Sequence, residues 1–198
     1  MTGIMDQLVA LARLSVNDPR AGARALLAMG VPLPARTAGL LLVAVGSALL
    51  FHLGFLFMPP GDDVVAQFMS QSPIRTAIFQ WLILAVTVLC IFRIGRAFGG
   101  KGALADALLI VVWLQVIMLA VQIVQLLSFI LIPFLAGLVS LGGFILFFWL
   151  LTSFIAELHG FASRWVVLAG VIGSGFGLAV VLAVILSLIF GPEALQGV

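Results

Sequence analysis

A chain of 198 residues that is 64% hydrophobic and 8% charged, with a mean hydropathy of +1.36, lacks the charge to coat a water-soluble fold. A soluble domain of this length leaves about a quarter to a third of its unfolded surface in water, and nine Lys and Arg with seven Asp and Glu do not cover it. Compact soluble enzymes are excluded, and a polytopic membrane protein is expected.

The formal charge of +2 and pI near 9.5 come from basic residues at the ends of apolar runs, with no continuous stripe for nucleic acid. Cys90 is the single cysteine, so no intrachain disulfide forms, and it reads as a packing residue. The first residues, MTGIMDQLVALARL, lack the order of charged, apolar and cleavage-site regions of a signal peptide, and no cleaved leader is expected.

Residues 4 to 16 place Ile4, Leu8, Leu11 and Ser15 on one helical face, away from Asp6 and Arg13. This stretch is too short and too charged to span, and fits an interfacial or partner-packing helix. Asn17, Asp18 and Pro19 give a capping residue followed by proline near the first helical position, and RAGARALLAM continues until Gly30 and Pro32. Residues 1–36 are thus expected to form an amphipathic hairpin or bent helix, with Arg13, Arg20, Arg24 and Arg36 facing anionic headgroups.

The rest predicts an all-α transmembrane domain over 37–190, made of five spanning helices near 37–58, 74–94, 104–126, 138–158 and 165–190, with a short external tail at 191–198. PPGDD, RIGRAFGGKG and AELHG mark boundaries, while Pro133 and Gly137 mark a tight turn between the third and fourth spans. Eight basic residues fall on the odd-numbered sides of this five-span layout and only Arg75 on the other, which carries Asp62, Asp63 and Glu193. The expected orientation is N-terminus cytoplasmic and C-terminus external.

In the third span, Gln115, Gln122 and Gln125 fall within an arc of about 80° and point to the protein interior, as interhelical hydrogen-bonding groups or the lining of a solute path. Trp113, on roughly the opposite face, reads as packing or lipid-facing. In the fifth span Gly170, Gly173, Ser174 and Gly177 make a shallow face for internal packing or dimerisation. No lysine follows these glycines and no strand precedes them, so they are not a phosphate loop.

Asp106, at the start of the third span, is placed to meet the first-turn amides and to pair with Arg93, Arg96 or Lys101. Glu157 and His159 are the best local pair for chemistry, but residues two apart do not share a helix face, and Gly160 after them reads as a terminator. His52 in the first span reads as a neutral, hydrogen-bonded histidine. Two histidines and one cysteine do not provide a multi-ligand metal, haem or iron–sulfur site, so no catalytic residue, cofactor or metal is expected.

NDPRAGARALL at 17–27, GGKGALADAL at 99–108 and AELHG at 156–160, in this order among the apolar runs, resemble the Yip1 domain family of five-span membrane proteins. The resemblance implies an integral membrane protein with a cytoplasmic N-terminus, and eukaryotic relatives act in vesicle traffic with prenylated small GTPases. This chain's short N-terminal region and compactness look bacterial, which places it in an inner membrane with a periplasmic C-terminus and sets the traffic role aside. Asp18, Pro19, Arg20, Gly99, Gly100, Asp106, His159 and Gly160 match the resemblance, and the family supplies no catalytic role for them.

The reading is a non-enzymatic protein that organises or stabilises a membrane complex through helix packing and its N-terminal segment. Its partners would be membrane lipids and a membrane protein or a second copy of itself. The alternative is a transporter or channel for a small solute or lipid.

Overall fold

The computed structural model describes residues 3–57, 59, 61, 67 and 69–190. Asp62, Asp63, Glu193 and the expected tail at 191–198 lie outside the described residues. The elements are α1 (Ile4–Asn17), α2 (Pro19–Ala28), α3 (Leu33–Phe55), α4 (Pro73–Ala97), α5 (Leu104–Leu131), α6 (Pro133–His159) and α7 (Arg164–Phe190).

Asp18 makes the corner between α1 and α2. Its backbone N–H donates to Leu14 O (2.8 Å), while its carboxylate accepts from Ala21 N (3.0 Å), and Pro19 opens α2 where no N–H is needed. The two helices touch closely beyond it, since a Cβ on Gly22 would fall 2.6 Å from Ser15 Cα. The expected amphipathic segment is therefore two short helices folded on each other.

Four described helices are long and apolar enough to cross a membrane: α3, α4, α5 and α6. This corrects the five-span expectation. The fifth predicted span, 165–190, belongs to α7 (Arg164–Phe190), whose described apolar part, Arg164–Gly177, does not add a further candidate span. The external C-terminus rested on that fifth crossing.

Helix α5 is central. In its most apolar window 56% of residues are buried, against 28% or less in α3, α4 and α6, and it packs against α2, α3, α4 and α6. Ile110, Leu150 and Phe154 are fully buried at its contact with α6. The other helices leave broad apolar faces outward, as a lipid solvent allows.

Helices α4 and α6 end alike. Gly99 (φ 83°) and Gly160 (φ 73°) are left-handed, and the next residues close i to i−5 bonds, Gly100 N to Gly95 O and Phe161 N to Ala156 O, each 2.8 Å. Between α5 and α6 the break is one residue. Ile132 is extended (φ −145°, ψ 85°) because proline follows it, and Pro133 starts α6. Gly137, expected in a turn, lies inside α6, where its lack of a side chain breaks no hydrogen bond of the helix.

Candidate interaction site at the α1–α2 end of the bundle

The residues that carried the sequence signal converge where α1 and α2 meet the ends of α4 and α6 and the start of α5. His159, the last residue of α6, is 2% exposed. Its Nδ1 accepts from Gly102 N (3.2 Å), so the proton sits on Nε2, which donates to Ile91 O (3.1 Å). Lys101 N donates to the histidine's own carbonyl (3.2 Å), and Phe161 stacks at 5.6 Å. A Cβ at Gly95 or Gly100 would overlap the imidazole, and one at Gly102 would fall 2.7 Å from Leu158 Cγ. Three glycines thus form the cradle, and with both ring nitrogens bonded to backbone the imidazole is a structural clamp between α4 and α6.

Asp106 is paired, but with Arg36 and not with Arg93, Arg96 or Lys101. Arg36 Nη1 donates to Asp106 Oδ1 (2.8 Å) and to Ala105 O (2.6 Å), and its Nε donates to Val31 O (2.7 Å). The start of α3 brings Arg36 against the start of α5, a neighbour 70 residues away in sequence. Arg20 Nη2 reaches the carbonyls of Phe161 (3.2 Å) and Ala162 (2.9 Å), fastening α2 to the turn after α6. Arg20 and Arg36, expected to face headgroups, are therefore engaged with the protein's own backbone carbonyls, and Arg36 also with Asp106. Arg24 lies 3.6 Å from Glu157 in a solvent-facing pair, of the kind that contributes little to stability. Glu157 and His159 do not act on each other.

Trp113 is buried and donates its indole N–H to Ser15 Oγ (2.9 Å), which excludes the lipid-facing reading. The α1–α2 pair covers that part of α5, a contact invisible to a helical wheel of α5 alone. Reasoning from sequence also missed Gly95 and Gly102; the glycines flanking Arg96 and Lys101 were the only local signal for the cradle.

The glutamine stripe divides. Gln115 is buried and donates to Ser47 Oγ (3.1 Å), whereas Gln122 and Gln125 line a cavity of about 800 Å³ between α3, α4, α5 and α6 at the opposite end of the bundle. His52 Nε2 lies 3.1 Å from Thr76 Oγ1, within the bundle as expected. A Cβ on Gly170, Gly173 or Gly177 would meet nothing within 4 Å, so no described helix uses that face closely. Among the described residues no three His, Cys, Asp or Glu side chains group as metal ligands.

These features define a helical integral membrane protein whose described polar residues tie helices together around a capped end. A family model, the Yip1 domain, matches residues 14–188. The chain belongs to the Yip1 domain family. Searches of curated proteins and of solved structures returned no match.

Proposed function

We propose that this protein organises a membrane complex, with the α1–α2 end as the surface that holds the partner and with that end facing the cytoplasm of a bacterial inner membrane. Residues 1–36 act as the docking segment and 37–190 as the membrane-embedded body. The observation that carries this reading is the fastening of α1 and α2 to the span ends by Arg20 and by Ser15 with Trp113. A segment so held is a preorganised surface, and preorganisation lowers the ordering cost of binding. Ile4, Met5, Leu8 and Val9 are exposed on α1 beside it, an apolar edge for a partner or the headgroup boundary. Eight of the nine basic residues lie at this end of the chain's path, which favours its cytoplasmic orientation.

The test is the intact mass and composition of the complex extracted from native membranes in mild detergent, for the wild type and for Arg20→Ala, against empty vesicles. A stoichiometric partner that Arg20→Ala loses is the expected result. Recovery of a stable, unaccompanied monomer overturns the proposal. Transport is the second reading, favoured by the cavity at the far end, and would be tested by flux in reconstituted vesicles.

A further inference from the structure

The cations at the α1–α2 end fall into two sets. Arg20 and Arg36 bond to backbone carbonyls, Arg24 pairs with Glu157, and the Arg164 guanidinium lies 4.1 Å from the centre of the Trp149 ring. Arg93, Arg96 and Lys101, where α4 runs towards α5, are exposed and meet no carboxylate; the ion pairs among the described residues use Glu157 and Asp106.

Arg93 and Arg96 also continue a stripe. With Phe79, Leu82, Val86 and Leu89 they recur at three- and four-residue spacing and fall within an arc of about 100° on α4. That arc lies on the side of α4 away from the buried Val88, Ile91 and Gly95. The four apolar members are each nearly half-exposed, so this face looks out of the bundle. From Leu82 to Arg93 the helix rises about 16 Å, close to one leaflet's half of about 30 Å of hydrocarbon. The stripe therefore has the length and polarity of one phospholipid, with apolar surface for a chain and two guanidinium groups at headgroup level.

The charge decides between occupants. A second copy packed stripe to stripe, crossing in the same direction, would bring its own Arg93 and Arg96 against these two and set four like charges together. A zwitterionic lipid meets the cations with a phosphate already balanced by its own ammonium. A phosphodiester with no cationic headgroup meets them with net negative charge and acceptor oxygens for both guanidinium groups.

We propose that the outer face of α4 holds an anionic phospholipid of the phosphatidylglycerol class, with its phosphate on Arg93 and Arg96 and an acyl chain along Leu89, Val86 and Leu82. Lys101, in the turn that follows, adds to the positive field. The site does not depend on the partner proposed for α1 and α2.

The experiment uses the full chain in phosphatidylcholine nanodiscs carrying a trace of photoactivatable lipid. The probe is either phosphatidylglycerol or phosphatidylcholine, with the same chains and the reactive group midway along one of them. One cation beside an anionic headgroup is worth about fivefold in occupancy. The phosphatidylglycerol probe should therefore label residues 82–89 about tenfold or more above the phosphatidylcholine probe, and Arg93→Gln and Arg96→Gln should each lower that labelling about fivefold. The double variant should label equally with both probes, while Arg13→Gln, on α1, should change nothing. Equal labelling by the two probes in the wild type would reduce the stripe to unselective lipid contact, and a loss in Arg13→Gln as large as in Arg93→Gln would mean a diffuse field. Selective labelling elsewhere would move the site off α4, and none on α4 from either probe would mean that another helix covers the stripe; each of these overturns the proposal. The wild-type comparison needs no variant to fold.

Discussion

His159 shows how one side chain can fix the approach of two helices. Its imidazole occupies the volume that three glycines leave open, and both ring nitrogens bond to backbone of another segment. Adding a methyl at Gly95 should overpack this contact and cost about 1–3 kcal/mol. His159→Ala should cost a similar amount by leaving Gly102 N–H unmet and a void where the ring sat. Because the methyl and the imidazole compete for one space, the double variant should be less destabilised than the sum by about 1 kcal/mol or more. Unfolding of the four proteins in mixed micelles measures this; strict additivity would mean the cradle does not hold the ring.

At the scale of elements, α1 and α2 are held by few groups, and their attachment is separable from the bundle. Asp18→Ala removes the carboxylate that caps α2, worth about 1 kcal/mol. Gly22→Leu adds a side chain where Ser15 leaves no room and should push α1 off α2. Both should raise amide exchange across 4–28 and expose Trp113 to a quencher, with exchange in the middle of α5 unchanged. Exchange rising equally in α5 would show that the α1–α2 pair belongs to the core's cooperative unit.

At the scale of the whole molecule, crossing by the four candidate spans α3 to α6 is expected to return the chain at Ala162 to the side on which α3 began. In a Cys90→Ser background, single cysteines at Met29, Phe98 and Ala162 should react with an impermeant maleimide from one side of the membrane, and one at Pro59 from the other. Labelling of Met29 and Ala162 from opposite sides would refute the four-span arrangement. In intact cells the first three should be protected if the α1–α2 end is cytoplasmic.

The sequence by itself determined the membrane solvent, the helical class, the Asp18–Pro19 corner and the Gly160 stop, because apolar content, proline and capping chemistry act within a few residues of where they are read. The resemblance to the Yip1 domain family was legible in the order of short motifs along the chain. Tertiary structure decided the partners. Asp106 chose Arg36 over three nearer cations, Trp113 turned inward to Ser15, and Gln115 found Ser47 while Gln122 Oε1 found nothing. Each outcome depends on which helices lie side by side, and a hydrogen bond forms only between groups the packing brings within about 3 Å. That neighbour relation is absent from any local window of sequence.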